Sequence, residues 1–214
     1  QFFYLYVLID IFSRYVVGWL VAGAENAGLA SMLIEETCAK HGVARDSLTL
    51  HSDRGSPMRA KTTAELLVDL GVAASFGRPR ISNDNPFSEA HFKTFKYRPQ
   101  FPACFEGLDH ARAHSREFFP WYNNDHHHSG IGFMTPAAMH FGTAPALWQQ
   151  RAAVLQAAYL AHPERFKGKI PSPPDLPVIA GINLPKSQPS EPPHDLIQTP
   201  ALLTNLHTEV SHSH

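Results

Sequence analysis

His51-Ser52-Asp53-Arg54-Gly55-Ser56-Pro57 follows directly on Leu48-Thr49-Leu50, and the reading of this stretch decides the rest. The alternating segment 48–51 predicts a strand, and Arg54-Gly55-Ser56-Pro57 predicts a turn, so Asp53 is expected as a carboxylate at a strand tip. A second carboxylate, Glu89, follows after 35 intervening residues, three beyond Pro86 and just after Asn83, Asp84 and Asn85. Those residues mark a helix start, which puts Glu89 in the first turn.

Working outward, residues 2–9 and 15–22 are rich in aromatic and β-branched residues and read as two buried strands joined as a hairpin through residues 10–14. Asn26 is placed to cap a helix that reaches about His41, with Leu29, Leu33, Ile34 and Cys38 on one face and Gly42 as the stop. A second helix near residues 63–70 ends at Gly71, and residues 72–76 read as another strand. In the helix that starts near Pro86, Glu89, Lys93 and Lys96 are related by steps of four and three and share one face, while Phe92 and Phe95 turn to a neighbouring, buried side. Residues 108–124 suggest a packing helix that Pro120 should kink or end, because an interior proline costs ~3 kcal/mol. Thr135-Pro136 starts another helix, closed by Gly142, and Leu147, Arg151, Val154, Leu155 and Ala158 fit a final one.

The words HSDRGSP around Asp53 and SNDNPFSEAHFKTFK around Glu89, with 35 residues between the carboxylates, resemble the second Asp and the Glu of the DDE transposases of bacterial insertion sequences, relatives of the retroviral integrase catalytic core. YLYVLIDIFSRYVVGW from Tyr4 to Trp19 matches the same family, and the resemblance covers residues 2–165. It implies an α/β, ribonuclease-H-like mixed sheet flanked by helices. It also implies DNA integration and transposition by two-metal phosphoryl transfer, with Asp53 and Glu89 as catalytic metal ligands, two Mg2+ or Mn2+ ions as cofactors, and Lys93 and Lys96 on the DNA backbone. The implied partners are DNA, at element ends and target, and a full-length transposase or a second copy. The third carboxylate of that family stands on the first strand, in a word like Trp-x-x-Asp-Ile-Thr, upstream of the segment resembling Tyr4 to Trp19. The resemblance therefore implies a sheet without its first strand, two of three metal ligands, and a chain inactive alone. Asp10, in Ile9-Asp10-Ile11-Phe12-Ser13-Arg14, reads as a turn or capping carboxylate rather than a substitute. The alternatives are a DNA-binding or partner-binding remnant without catalysis, and a metal-dependent nuclease of related fold.

Carboxylates suit this chemistry because magnesium takes hard oxygen ligands, and two ions ~4 Å apart can serve the attacking and leaving oxygens of an in-line displacement. Histidines are numerous, 14 in all, but His126, His127 and His128 are consecutive, which scatters their side chains instead of converging them as zinc requires. His207, His212 and His214 lie in a polar tail. His51, two residues before Asp53 on a strand, points to the same side and is placed to lean on the site.

Composition sets the limits. The formal charge is −1, and residues 1–162 hold 14 Lys plus Arg against 14 Asp plus Glu, which excludes DNA binding by bulk charge. The basic excess is local: Arg78, Arg80, Lys93, Lys96 and Arg98 face only Asp84 and Glu89 between residues 78 and 98. Cys38 and Cys104 form neither a disulfide framework nor a Cys-x-x-Cys zinc pair. No run is apolar enough for a membrane span, and the opening QFFYLYVLID has no basic leader, so a cytoplasmic location is expected. Ten of the 18 prolines fall between Pro163 and Pro200. The expected division is thus a core over residues 1–165 and a Pro-rich, disordered tail over 166–214.

Overall fold

The computed structural model describes residues 2–53, 55–78 and 84–182, together with the backbone of Ala201–Asn205 and Glu209–Val210. In chain order the elements are β1 (Phe3–Asp10), β2 (Val16–Ala22), α1 (Ala27–Lys40), β3 (Leu48–Ser52), α2 (Ser56–Arg59), α3 (Lys61–Leu70), β4 (Val72–Phe76), α4 (Pro86–Lys96), α5 (Leu108–Asn124), α6 (Pro136–His140), α7 (Ala144–Ala161), β5 (Ala201–Asn205) and β6 (Glu209–Val210). They form two compact units. One comprises residues 1–11, 16–119 and 181–214, and the other residues 12–15 and 120–180.

The first unit is a mixed α/β sheet of order β2-β1-β5-β3-β4, with β6 beside β1. β1 and β2 pair antiparallel, with a register shift between Leu8 and Ile9, and β3 and β4 pair parallel from Leu48↔Val72 to Ser52↔Phe76. Strand β1 is buried along nearly its whole length: Phe3, Leu5, Tyr6, Val7, Leu8 and Ile9 all belong to the core. Adjacent residues of β2 carry the two helical layers, since successive side chains of a strand point to opposite faces. At Gly18 a Cβ would collide with Thr37 Oγ1 of α1, so glycine lets that helix approach closely. Trp19 stacks on Phe119 of α5 at 4.8 Å, and Arg112 Nε donates to Val21 O at 3.2 Å. Helices α1 and α5 therefore cover opposite faces.

Local chemistry sets most boundaries as expected. Asn26 accepts a hydrogen bond from Gly28 N at 2.6 Å, and α1 stops at Gly42, whose φ is +58°. Gly71, with φ +64°, ends α3. One reading is corrected and one is sharpened. Helix α5 has the expected span and continues past Pro120, while the turn expected after Asp53 is the reading to correct. Phe118, Phe119 and Tyr122 are all buried around it, and burying such side chains, worth ~1.5 to 3 kcal/mol each, outweighs one lost helical hydrogen bond. Asp53 is followed by a short helix, α2, where a simple turn was expected.

The larger correction concerns the middle of the sheet. The expectation was an unfilled position between the strand of residues 2–9 and the strand that delivers Asp53. β5 lies there, antiparallel to β1 from Val7↔Asn205 to Asp10↔Leu202 and parallel to β3 from Thr49↔Ala201 to Ser52↔Thr204. The physical reason is that two inner strand edges would otherwise keep buried backbone groups unpaired, at ~1 to 3 kcal/mol each. Ala201-Leu202-Leu203-Thr204 is an apolar run just past the last proline, Pro200, and free to pair. The tail is therefore not uniformly disordered.

The second unit has its own core of Ile131, Met134, Ala138, Met139 and Ala144, packed by Phe12, Trp148 and Leu176. Thr135 Oγ1 caps α6 by accepting from Ala138 N at 3.2 Å, and Tyr15 stacks on His140 at 4.5 Å. The core does not stop at Arg165. Residues 167–182 carry no helix or strand, yet Pro173 is buried and Trp148 Nε1 donates to Pro174 O at 2.9 Å. Extended, proline-rich backbone can pack without secondary structure when a side chain satisfies its carbonyl groups.

Ending the chain at Pro200 removes β5 and β6. Amide hydrogen exchange in residues 3–10 and 48–52 is expected to accelerate, and light scattering to report self-association through the exposed edges. Unchanged protection in a monomer would show that the sheet closes without β5.

Candidate active site

Strand β3 delivers Asp53 from the interior. Leu48, Leu50 and Ser52 are buried, and the ladder runs one step past β4 through Gly77 N donating to Ser52 O at 3.0 Å. Asp53 Oδ1 then accepts from Gly55 N at 3.1 Å, the local bond by which an aspartate turns its own backbone. Helix α4 begins at Pro86 and carries Glu89 in its first turn, where the helix dipole favours a negative charge. Ser88, His91, Phe92 and Phe95 form its buried face, and Phe95 meets Phe118 of α5 edge-on at 4.7 Å. Glu89, Lys93 and Lys96 are exposed. Among the described residues no ion pair joins Glu89 to Lys93.

The link between the two carboxylate-bearing ends is His51. Its Nε2 lies 3.0 Å from Asp84 O and its Nδ1 3.0 Å from Ser75 Oγ on β4. A carbonyl oxygen only accepts, so Nε2 carries the proton and Nδ1 accepts from the serine hydroxyl. Asp84 is itself buried and takes Arg78 in a fork, with Nε to Oδ2 at 2.9 Å, Nη2 to Oδ1 at 2.8 Å, and the Arg78 backbone N–H to Oδ2 at 2.7 Å. This pair raises the Arg78 pKa, while burial lowers that of His51. Asp84 stands two residues before α4, so the start of α4 is drawn to the end of β3. Asp53 directly follows β3, and Glu89 lies in the first turn of α4.

The other candidates are placed elsewhere. Asp10 is paired with Leu202, three positions along β1 from Val7, which stands opposite Asn205 at the end of β5. It is two strands away from β3 and set back by ~10 Å along the strand direction. His128 Nδ1 accepts from Gly130 N at 3.2 Å, His127 Nδ1 bonds Asp125 O at 3.0 Å, and His126 stacks on Tyr122 at 5.4 Å. Burial holds the His128 pKa down at about 4. His207, His212 and His214 lie outside the described residues, as does Arg80. Among the described residues no three His, Cys, Asp or Glu side chains gather as a metal shell. Asp53 keeps one carboxylate oxygen clear of the Gly55 bond, and Glu89 is exposed, so both fit a divalent cation that retains waters. The Arg78 to Asp84 fork was missed from sequence, and no local pattern announces it.

The integrase core domain family is matched twice, over residues 1–82 and over residues 70–136. The transposase for insertion sequence element IS904 of Lactococcus lactis subsp. lactis (strain IL1403) is 30% identical over 137 residues, covering 62% of this chain and 53% of that protein. The transposase for insertion sequence element IS629 of Shigella sonnei is 26% identical over 137 residues, covering 64% and 45%. Among solved structures, the catalytic core domain of BIV integrase is similar with a TM-score of 0.47 at 20% identity, over 67% of this chain and 89% of that one. The HTLV-2 integrase catalytic core domain in complex with magnesium gives 0.47 at 16%, over 64% and 84%. Residues 1–136 belong to the integrase core domain family and are related to these insertion-sequence transposases. The chain spans about half the length of the curated relatives it matches.

Burial lowers the pKa of both His51 and His114, the latter packed against Phe95 at 5.3 Å and Phe105 at 5.6 Å. Below the ordinary value of 6.5 the unfolded chain binds protons that the folded chain does not yet take up. Stability is therefore highest above that pH and falls as the pH drops through it, until the folded histidines also titrate. Urea midpoints should decline from pH 7.5 to 5, and His114→Phe should flatten that decline.

Proposed function

We propose that residues 1–136 are the catalytic core of a transposase that cuts and joins DNA strands, with Asp53 and Glu89 holding divalent metal and Lys93 and Lys96 gripping the phosphate backbone. The observation that carries this reading is the His51 to Asp84 hydrogen bond, which ties the end of β3, just before Asp53, to the approach to α4, the helix that carries Glu89. Family membership and the exposed Glu89, Lys93 and Lys96 face support it. Magnesium or manganese, held as two ions in a complete site, would activate the attacking oxygen and stabilise the leaving one. The role of the chain's own groups is to bind and orient. Asp53 and Glu89 offer oxygens, and the lysines of α4 align a DNA backbone along the same helix face. The central strand order, with β1 antiparallel and β3 parallel to the strand between them, fits a ribonuclease-H-like arrangement. DNA is the proposed partner, together with a full-length transposase or a second copy. No helix among the described residues is long and apolar enough to cross a membrane, and we place the action of the protein in the cytoplasm.

The exposed Lys93 and Lys96 suit equally a second reading, in which the chain binds DNA or a transposase partner and turns over slowly or not at all alone. Manganese-dependent nicking and strand transfer on a supercoiled plasmid separates the two readings. Activity lost in Asp53→Asn and in Glu89→Gln supports the enzyme, and binding without either reaction supports the remnant. Mn2+ binding followed by water-proton relaxation should also weaken in each variant, and an unchanged titration would remove both residues from the site.

The lysines are tested separately. Lys93→Ala with Lys96→Ala should weaken binding to duplexes of unrelated sequence alike and lower the salt slope by about 2, one for each lost phosphate contact. An unchanged slope would make that helix face merely solvated.

A further inference from the structure

Helix α4 is held at two places, and they are not alike. Its later turns are anchored by packing, through Phe92 and Phe95 against Phe118 and neighbouring rings. Its first turn has Ser88 buried, and the approach to it is held by polar bonds. Asn85, at the N-cap position, makes no capping hydrogen bond with its side chain, and Pro86 supplies no N–H. What restrains the beginning is the preceding residue, Asp84, whose carbonyl accepts from His51 and whose carboxylate is gripped by Arg78. The same imidazole takes the Ser75 hydroxyl, so one buried ring connects β3, β4 and the entry to α4.

We propose that His51 is a positioning residue: with Ser75, Asp84 and Arg78 it forms a clasp that sets where Glu89 stands relative to Asp53. Both nitrogens of the ring are committed, one as donor and one as acceptor, which leaves none to move a proton for substrate. Its action is mechanical. Released from Asp84, α4 keeps its hold at Phe95 and its first turn is free to swing, carrying Glu89 with it. Metal ligation tolerates only ~0.2 Å of error in ligand distance, so a small swing is enough to weaken a shared ion. The inference rests on the metal reading for its consequence, but not for the clasp itself.

The full chain carrying His51→Ala, His51→Gln or Arg78→Ala is compared with the parent by hydrogen-exchange mass spectrometry and by Mn2+ titration. A glutamine amide reaches about as far as Nε2 and donates to the Asp84 carbonyl, but does not reproduce the acceptor toward Ser75. In His51→Ala, exchange over residues 84–92 should rise roughly tenfold while residues 108–119 hold, and Mn2+ affinity should fall on the order of tenfold. His51→Gln should restore both, although its melting temperature is lowered too. Arg78 is largely exposed, so Arg78→Ala keeps the core intact if His51→Ala fails to fold, and it should loosen the same residues. Uniform loosening in every variant, or no recovery by glutamine, would overturn the proposal and make His51 an ordinary core residue. Mn2+ binding that Asp53→Asn leaves unchanged would instead defeat the metal reading, with the exchange profile still deciding the clasp.

Discussion

Pairing of β5 on both of its edges is the constraint on which the rest of the first unit depends. A strand in the middle of a sheet satisfies backbone donors and acceptors of two neighbours at once, and here those neighbours are the buried β1 and the site-bearing β3. Without it, the register between the two halves of the sheet would rest on helix packing alone. With it, the end of β3 is held against both neighbours, so the carboxylate that follows stands on a rigid tip. Helices α1 and α5 can then close the opposite faces, one through the space left at Gly18 and the other through Trp19 and Phe119.

The site inherits that rigidity unequally. Asp53 is one residue past a five-residue strand with buried Leu48 and Leu50, whereas Glu89 rides on a helix entered through residues 79–83. Closing that entry takes a buried carboxylate with a charged fork, the kind of pair that costs desolvation and is retained where geometry matters. Arg78 remains largely exposed while Asp84 is buried. The arginine can therefore satisfy the carboxylate at the lip of the fold without being taken fully out of water. The result is an outer surface of unpaired function, Glu89 and Lys93, supported from behind by groups whose hydrogen bonds are committed.

Much of this was legible in the chain. The alternation in residues 48–51 and the turn residues after Asp53 announce a strand end, and Pro86 announces a helix start, because both signals are local and steric. The steps of four and three that join Glu89, Lys93 and Lys96 follow from helical geometry alone, and the structure keeps these residues exposed and Phe92 and Phe95 buried. Proline content did not announce two features beyond residue 165. Pro173 is buried within the second unit, and the run just after Pro200 enters the sheet, because composition averaged over fifty residues hides five that can pair.

By itself the sequence determined most elements up to residue 161 and their order, the family-like words around Asp53 and Glu89, and the lack of bulk positive charge, all of which depend on neighbours a few residues apart. Only the tertiary structure decided which strand fills the middle of the sheet, that Asp10 stands away from the end of β3, and that His51 faces Asp84 and Ser75 rather than substrate. These are contacts between residues 24 to about 200 positions apart, between Ser75 and His51 at one extreme and Val7 and Asn205 at the other. Such contacts are chosen by which buried backbone and polar groups must find partners, and that requirement exists only once the chain has closed around them.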